Sequence, residues 1–251
     1  MQISLEIVPR STESLLNDIR TAETCTQIDV INIPDLLRFP VRAWDACATL
    51  NRNIPNGAPR KKLIPHIRAI DFDLSKEFPY KELFKEAKID SVLVVAGDPP
   101  QDMRHTVFPT KTVDFIGKLK KEMPHLEVYA AFDPYRTNIR FELDYLKAKE
   151  EAGADGFMSQ PFFDLRLMEI YAEYLSGKKV FWGISPVTSE KSRNYWETRN
   201  RAIFPKSFKA ELDWNIQFGR SVLEYCRKEH FDLYMMPIRI KLDDYLHGLF
   251  S

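Results

Sequence analysis

About eight short runs of apolar and β-branched residues recur along this chain of 251 residues, and charge-rich stretches of helical period separate them. The runs are Ser4 to Val8, Ile28 to Ile33, Lys62 to Ala69, Ser91 to Ala96, Glu127 to Phe132, Gly156 to Gln160, Lys179 to Ser185 and Asp232 to Pro237. Strands that read as near-continuous apolar runs are buried on both faces, which is how a parallel sheet covered by helices is built. Between the runs, Pro79 to Ala87, Thr110 to Lys121, Ile139 to Ala152, Leu165 to Leu175 and Ala210 to His230 space their apolar residues as helices do. Gly153 and Gly177 stand where two of those helices should stop. Run count and chain length together suit a closed (β/α)8 TIM barrel, one α/β domain over residues 1 to 251, better than an open doubly wound sheet. No GxGxxG follows any run, which argues against a dinucleotide fold of the open kind. The polar and aromatic segment from Thr188 to Phe208 is expected to form a short helix and a loop over the barrel mouth.

A barrel of this type gathers its chemistry at the C-terminal ends of its strands. The polar residues at those ends are Glu6, Asn32, Asp35, His66, Asp71, Asp98, Asp133, Arg136, Gln160 and Ser185. Glu6 is the most informative, because it closes the apolar run Ile3-Ser4-Leu5-Glu6-Ile7-Val8. An unpaired carboxylate buried there costs several kcal/mol or takes up a proton, so Glu6 is a candidate general acid. The bland alternative is a strand-end Glu in solvent or paired with Arg10. Acids and an amide converging on one mouth suit a ring with amide-like edges, such as a pterin, purine or flavin.

Lys+Arg and Asp+Glu are both 36, so no basic excess points to nucleic acid or an anionic membrane. No apolar run approaches the length of a membrane span. Cys25, Cys47 and Cys226 are far apart and odd in number, and no secretory signal precedes the first run, so free thiols in a reducing cytoplasm are expected. His105, His125, His230 and His247 stand on polar segments away from Cys or clustered acids, so no metal site is expected.

Several segments in order, Ser4-Leu5-Glu6, Pro65-His66 with Asp71, Gly97-Asp98-Pro99-Pro100, Leu146-Lys147-Ala148-Lys149 with Ala152-Gly153-Ala154, Gln160-Pro161-Phe162-Phe163-Asp164 and Gly183-Ile184-Ser185-Pro186-Val187, make a pattern. That pattern resembles the 5,10-methylenetetrahydrofolate reductases in their short catalytic-barrel form, from about Ser4 to Val187 and more faintly to Tyr234. The resemblance implies a barrel that holds FAD, takes hydride from NADH or NADPH and passes it to the methylene carbon of a folate. It implies Glu6 as the acid that opens the folate ring, Asp98 as a catalytic and folate-binding acid, and Gln160 as a hydrogen-bonding partner of the pterin. It also matches His66, Glu142 and Lys149 to flavin-contacting positions, with Phe132 and Arg136 at two further positions where the family carries Tyr and His.

Departures gather in the flavin half. Pro34, Ala96, Tyr145 and Ala148 fall where the family has Thr, Arg, Asn and Arg, and Glu142 replaces an Asp. Each lost charge-assisted donor removes roughly 1.5–3 kcal/mol from flavin binding. Hydride transfer by way of FAD and transfer directly from NAD(P)H are therefore both open. So are a folate-binding subunit that needs an electron-delivering partner and a pterin-dependent methyltransferase component. Family relatives often form homo-oligomers, and no interface is legible here.

Overall fold

The computed structural model describes residues 1–53, 61–99 and 105–251. Pro100 of the Gly97-Asp98-Pro99-Pro100 segment lies outside the described residues. Strands β1 (Ile3–Glu6), β2 (Val30–Ile33), β3 (Lys62–Arg68), β4 (Ser91–Val95), β5 (Glu127–Phe132), β6 (Gly156–Ser159), β7 (Val180–Ile184) and β8 (Asp232–Met235) each coincide with one expected run, β1 beginning one residue before its run and the others lying within theirs. All neighbours pair in parallel, and β8 returns to β1 to close the barrel. The helices are α1 (Thr12–Thr24), α2 (Ala43–Asn53), α3 (Lys81–Glu86), α4 (Thr112–Glu122), α5 (Ile139–Glu151), α6 (Leu165–Tyr174), α7 (Glu190–Arg199), α8 (Leu212–Glu229) and α9 (Leu242–Phe250).

Alternation along each strand sorts the core into two layers. Val30, Ile64, Leu93, Tyr129, Met158 and Phe181 fill the interior, while Leu5, Ile31, Ile67, Val94, Phe132 and Trp182 face the helices. The interior needs small residues beside large ones. At Gly156 a Cβ would come within 3.1 Å of the Tyr129 ring. A third cluster, Tyr135, Phe163, Val187, Trp196, Ala202 and Phe208, packs α7 and the loop after it against the ends of β5, β6 and β7. The short helix and loop expected over Thr188 to Phe208 are therefore present. Phe162 and Phe163 are core, whereas Tyr195 is 58% exposed.

Helix ends follow local chemistry. Ser11 and Ser14 form a capping box at α1, and Asn138, Asp164 and Ser189 cap α5, α6 and α7 through their side chains. Gly153 and Gly177 both take positive φ, as helix stops require. No described helix is long and apolar enough to cross a membrane.

The floor of the barrel is polar. Glu127 accepts from Lys62, from Lys179 at 2.8 Å, from Ser91 at 3.1 Å and from Tyr129 at 2.8 Å. Burial alone would raise its carboxyl, yet these donors hold it down to about 2. A carboxylate depressed in the folded state contributes stability above its unfolded value, and that contribution is lost as pH falls through the folded value. Urea titrations between pH 5 and pH 2 should show the native chain losing more stability on acidification than Glu127→Gln does; parallel curves would remove this role.

Candidate active site

The C-terminal ends of β1, β4 and β6 carry Glu6, Asp98 and Gln160 to one mouth. Glu6 is the last residue of β1 and lines a groove of about 380 Å³ between the β1–α1 loop and the β8–α9 connection. Desolvation pushes its carboxyl up to about 7, although a hydrogen bond from the Tyr234 hydroxyl pulls the other way. Arg10 turns to Asp18 at 3.8 Å, so it does not neutralise Glu6.

Tyr234 stands inside the barrel on β8, because its neighbours Leu233 and Met235 face the helices. Its oxygen lies 3.4 Å from Nε2 of His66, which lies 3.3 Å from Oδ1 of Asn32. Asn32 in turn donates through Nδ2 to Ser4. Four strands, β1, β2, β3 and β8, thus contribute one buried chain of hydrogen bonds that ends on Glu6. Burial holds His66 neutral, with its pKa down to about 3.

Asp98 follows β4 in a turn that depends on Gly97, whose φ is +87. A Cβ at Gly97 would meet Arg68 Nε and Ile70 Cγ1 at 2.9 Å. Arg68 Nη2 donates to the Asp98 carbonyl oxygen at 2.6 Å, and Arg68 also faces Asp71 at 3.5 Å. Asp71 accepts from Arg42 at 3.0 Å, and Arg42 makes two hydrogen bonds to Asp35 at 2.8 and 2.5 Å. This chain of charges ties the loops after β2, β3 and β4 together. It leaves the Asp98 carboxylate exposed and without a partner among the described residues. Gln160 is exposed too; its backbone N–H donates to Phe132 at 2.7 Å, and its side-chain amide is unengaged among the described residues.

The residues matched to a flavin lie elsewhere. Glu142 and Arg136 pair with each other at 2.7 and 3.0 Å where β5 passes into α5. Lys149 is 2% exposed, donates to the Ala131 carbonyl at 2.6 Å and lies 4.1 Å from the Tyr145 ring centroid. Desolvation brings its pKa down to about 8 against the pull of Glu142. Phe132 faces the helix layer, where its ring meets Phe162, Tyr171 and Trp182. His66 belongs to the buried chain that ends on Glu6. Of these five, Arg136 and Lys149 are engaged within the chain, Arg136 through Nη2 alone, and Phe132 is turned toward the helix layer. The remaining mouth residues have structural partners: Asp133 accepts from the Tyr135 N–H at 2.9 Å and Ser185 donates to the Met236 carbonyl at 2.7 Å.

Sequence reasoning did not assign roles to Tyr234, Arg42 or Arg68. The signal was present at Arg68, since polar residues replace apolar ones on alternate positions over His66-Ile67-Arg68, which is how an inward face turns polar near a barrel mouth. Among the described residues no cluster of His, Cys, Asp and Glu is arranged to hold a metal.

Comparison with known proteins agrees with this geometry at the level of fold and family. The family model described as methylenetetrahydrofolate reductase matches residues 62–219, well over half of the chain. A 5,10-methylenetetrahydrofolate reductase of Buchnera aphidicola subsp. Schizaphis graminum (strain Sg) is 22% identical over 147 residues, covering 57% of this chain and 50% of that protein. The match thus spans about half of that relative's length. Among solved structures, 2,3-dimethylmalate lyase, a PEP mutase/isocitrate lyase superfamily member, superposes with a TM-score of 0.59 at 10% identity, covering 95% of this chain and 75% of that one. Oxaloacetate acetylhydrolase gives 0.59 at 11% identity with the same coverage. At such identities these two likenesses speak to the barrel alone. Glu6 and Tyr234 fall outside the family match, so what is said of them rests on position in the barrel.

Proposed function

This chain belongs to the methylenetetrahydrofolate reductase family, and on that premise we propose that it reduces 5,10-methylenetetrahydrofolate to 5-methyltetrahydrofolate with hydride from NADH or NADPH. The observation that carries the reading is Glu6, a carboxyl raised to about 7 at the mouth of the barrel, where it can hold a proton at neutral pH. Folate chemistry needs that proton. Glu6 gives it to N10, the bond from N10 to the methylene carbon breaks, and an iminium forms at N5. Hydride from C4 of the dihydronicotinamide adds to the iminium carbon, which becomes the methyl group, and the nicotinamide leaves oxidised. Glu6 regains a proton from water. Asp98 and Gln160 supply an acceptor and an amide to the pterin edge, holding the ring for face-to-face approach.

The self-paired Arg136, Glu142 and Lys149 favour hydride passing directly between the two bound rings. Anaerobic nicotinamide oxidation on addition of the folate should therefore proceed at a rate that added FAD leaves unchanged. A rate that requires FAD would overturn the direct route, and no oxidation under either condition would overturn the reductase. The pH dependence follows from the acid's sign. Since the protonated form of Glu6 is the active one, kcat/KM should be flat below about 7 and fall about tenfold per pH unit above it. A profile still flat at pH 9 would contradict Glu6 as the proton donor.

A further inference from the structure

The hydrogen bonds behind Glu6 have a fixed direction, and from His66 onward it runs toward the acid. Asn32 uses Nδ2 to donate to Ser4, which leaves Oδ1 facing His66. His66 Nε2 must then carry the hydrogen, and the imidazole is neutral in the form protonated at Nε2. With that N–H directed at the Asn32 and Tyr234 oxygens, Tyr234 meets a donor on the His66 side and turns its one hydrogen to Glu6 Oε2. Oε1 of Glu6 has no hydrogen-bond partner among the described residues. We propose that Tyr234 is the positioning residue for the acid: its hydroxyl, oriented by His66, occupies Oε2 so that the transferable proton is carried on Oε1. This rests on the role of Glu6 given above and adds the device that aims it. It also gives His66 work in the proton-donating half of the site.

After the proton has left, the same hydroxyl stabilises the carboxylate, so the bond acts before and after transfer. The titratable groups that face Glu6 are few. Tyr234 comes from β8 and His66 from β3, while Arg10, Asp18, Lys241, Asp243 and Asp244 line the groove from the β1–α1 and β8–α9 sides.

The test is the titration of Glu6 itself, read in the full chain as the carboxyl stretch that disappears from the difference infrared spectrum in Glu6→Gln. Tyr234→Phe should move that titration upward by about one pH unit, since a donor to the ionised form is lost while burial stays. The falling limb of kcat/KM should move with it, and kcat should drop about tenfold. Replacing Tyr234 with 3-fluorotyrosine, nearly the same shape but a stronger donor, should move the titration the other way, and this holds even if Tyr234→Phe fails to fold. A Glu6 titration that neither replacement moves would overturn the proposal. A titration that moves as expected in a chain that never turns over would instead uphold the hydrogen bond and sink the reductase reading.

Discussion

Glu6→Gln should lower kcat by about 10²- to 10⁴-fold while the folate still binds, because proton transfer is the contribution removed and the pterin contacts are left in place. The amide keeps an oxygen to accept from Tyr234, so the change is nearly isosteric. Stability should move in the opposite direction from activity. The Glu6 carboxyl sits at about 7 in the fold against an ordinary value of 4.5, so the unfolded chain releases this proton first as pH rises. Stability from this site is full below pH 4.5 and is lost as pH climbs through about 7, a penalty of about 3 kcal/mol at most. Gln carries no such penalty. At pH 8 the variant should therefore be inactive and more stable to urea than the native chain, whereas a merely structural Glu would lose stability on replacement. Equal folate affinity by calorimetry completes the test.

The largest loss of stability is expected from Gly183→Ala. The residue lies in β7 beside β6, and a Cβ there would sit 2.6 Å from the Ser159 carbonyl oxygen, 2.7 Å from Met236 Cε and 2.8 Å from the Gln160 carbonyl oxygen. The methionine can move, but the two carbonyls belong to the barrel wall and its rim. Gly183 is also tied on both sides, since its N–H donates to Ser159 Oγ at 2.6 Å and its carbonyl accepts from Phe162 at 2.8 Å. Forcing β6 and β7 apart costs about 3 kcal/mol, against which the entropy gained on replacing Gly returns under about 1 kcal/mol. The midpoint of thermal unfolding should fall by roughly 4–8 °C. Folate affinity should fall as well, because the displaced carbonyl belongs to Gln160. Gly177→Ala makes a useful contrast. Nothing lies within 4 Å of its Cβ position, and its cost of about 1 kcal/mol comes from the positive φ of +77 alone.

Strands were legible because the residues facing the helices and those facing the interior are both mainly apolar, so each strand shows as a continuous run. Their ends came out one or two residues long where apolar residues such as Ile7, Val8 and Ile28 continue beyond the ladder. Helices α1, α2 and α9 were not singled out. In α2 the buried face is Ala43, Trp44, Ala46, Cys47, Ala48 and Leu50, four of them small, and in α1 Leu15 and Ala22 are fully buried with Leu16 and Ile19 packed beside them, so a helical face was present in both but was not read. The mouth was legible as a set of strand-end polar residues, since barrel geometry sends every such end to one side. Which of them face one another was not. The chain from Ser4 through Asn32 and His66 to Tyr234 depends on register across strands that are far apart in sequence, while the pairing of Arg136 with Glu142 and the turn of Lys149 to Ala131 depend on how α5 packs back on β5. Phe132 shows the limit most plainly. Its place in an alternating strand decides whether it faces ligand or helix, and only the closed barrel fixes that.

The most direct test of the central claim is the fate of a labelled hydride. The protein is incubated anaerobically with methylenetetrahydrofolate and NADH or NADPH carrying deuterium at the transferred position of C4, and the folate product is weighed by mass spectrometry. One deuterium in the methyl group of 5-methyltetrahydrofolate, formed one for one with oxidised nicotinamide, is the predicted result. Unlabelled methyl product would place an exchanging carrier between the rings, and recovery of unchanged folate with no nicotinamide oxidised would contradict the account at its root.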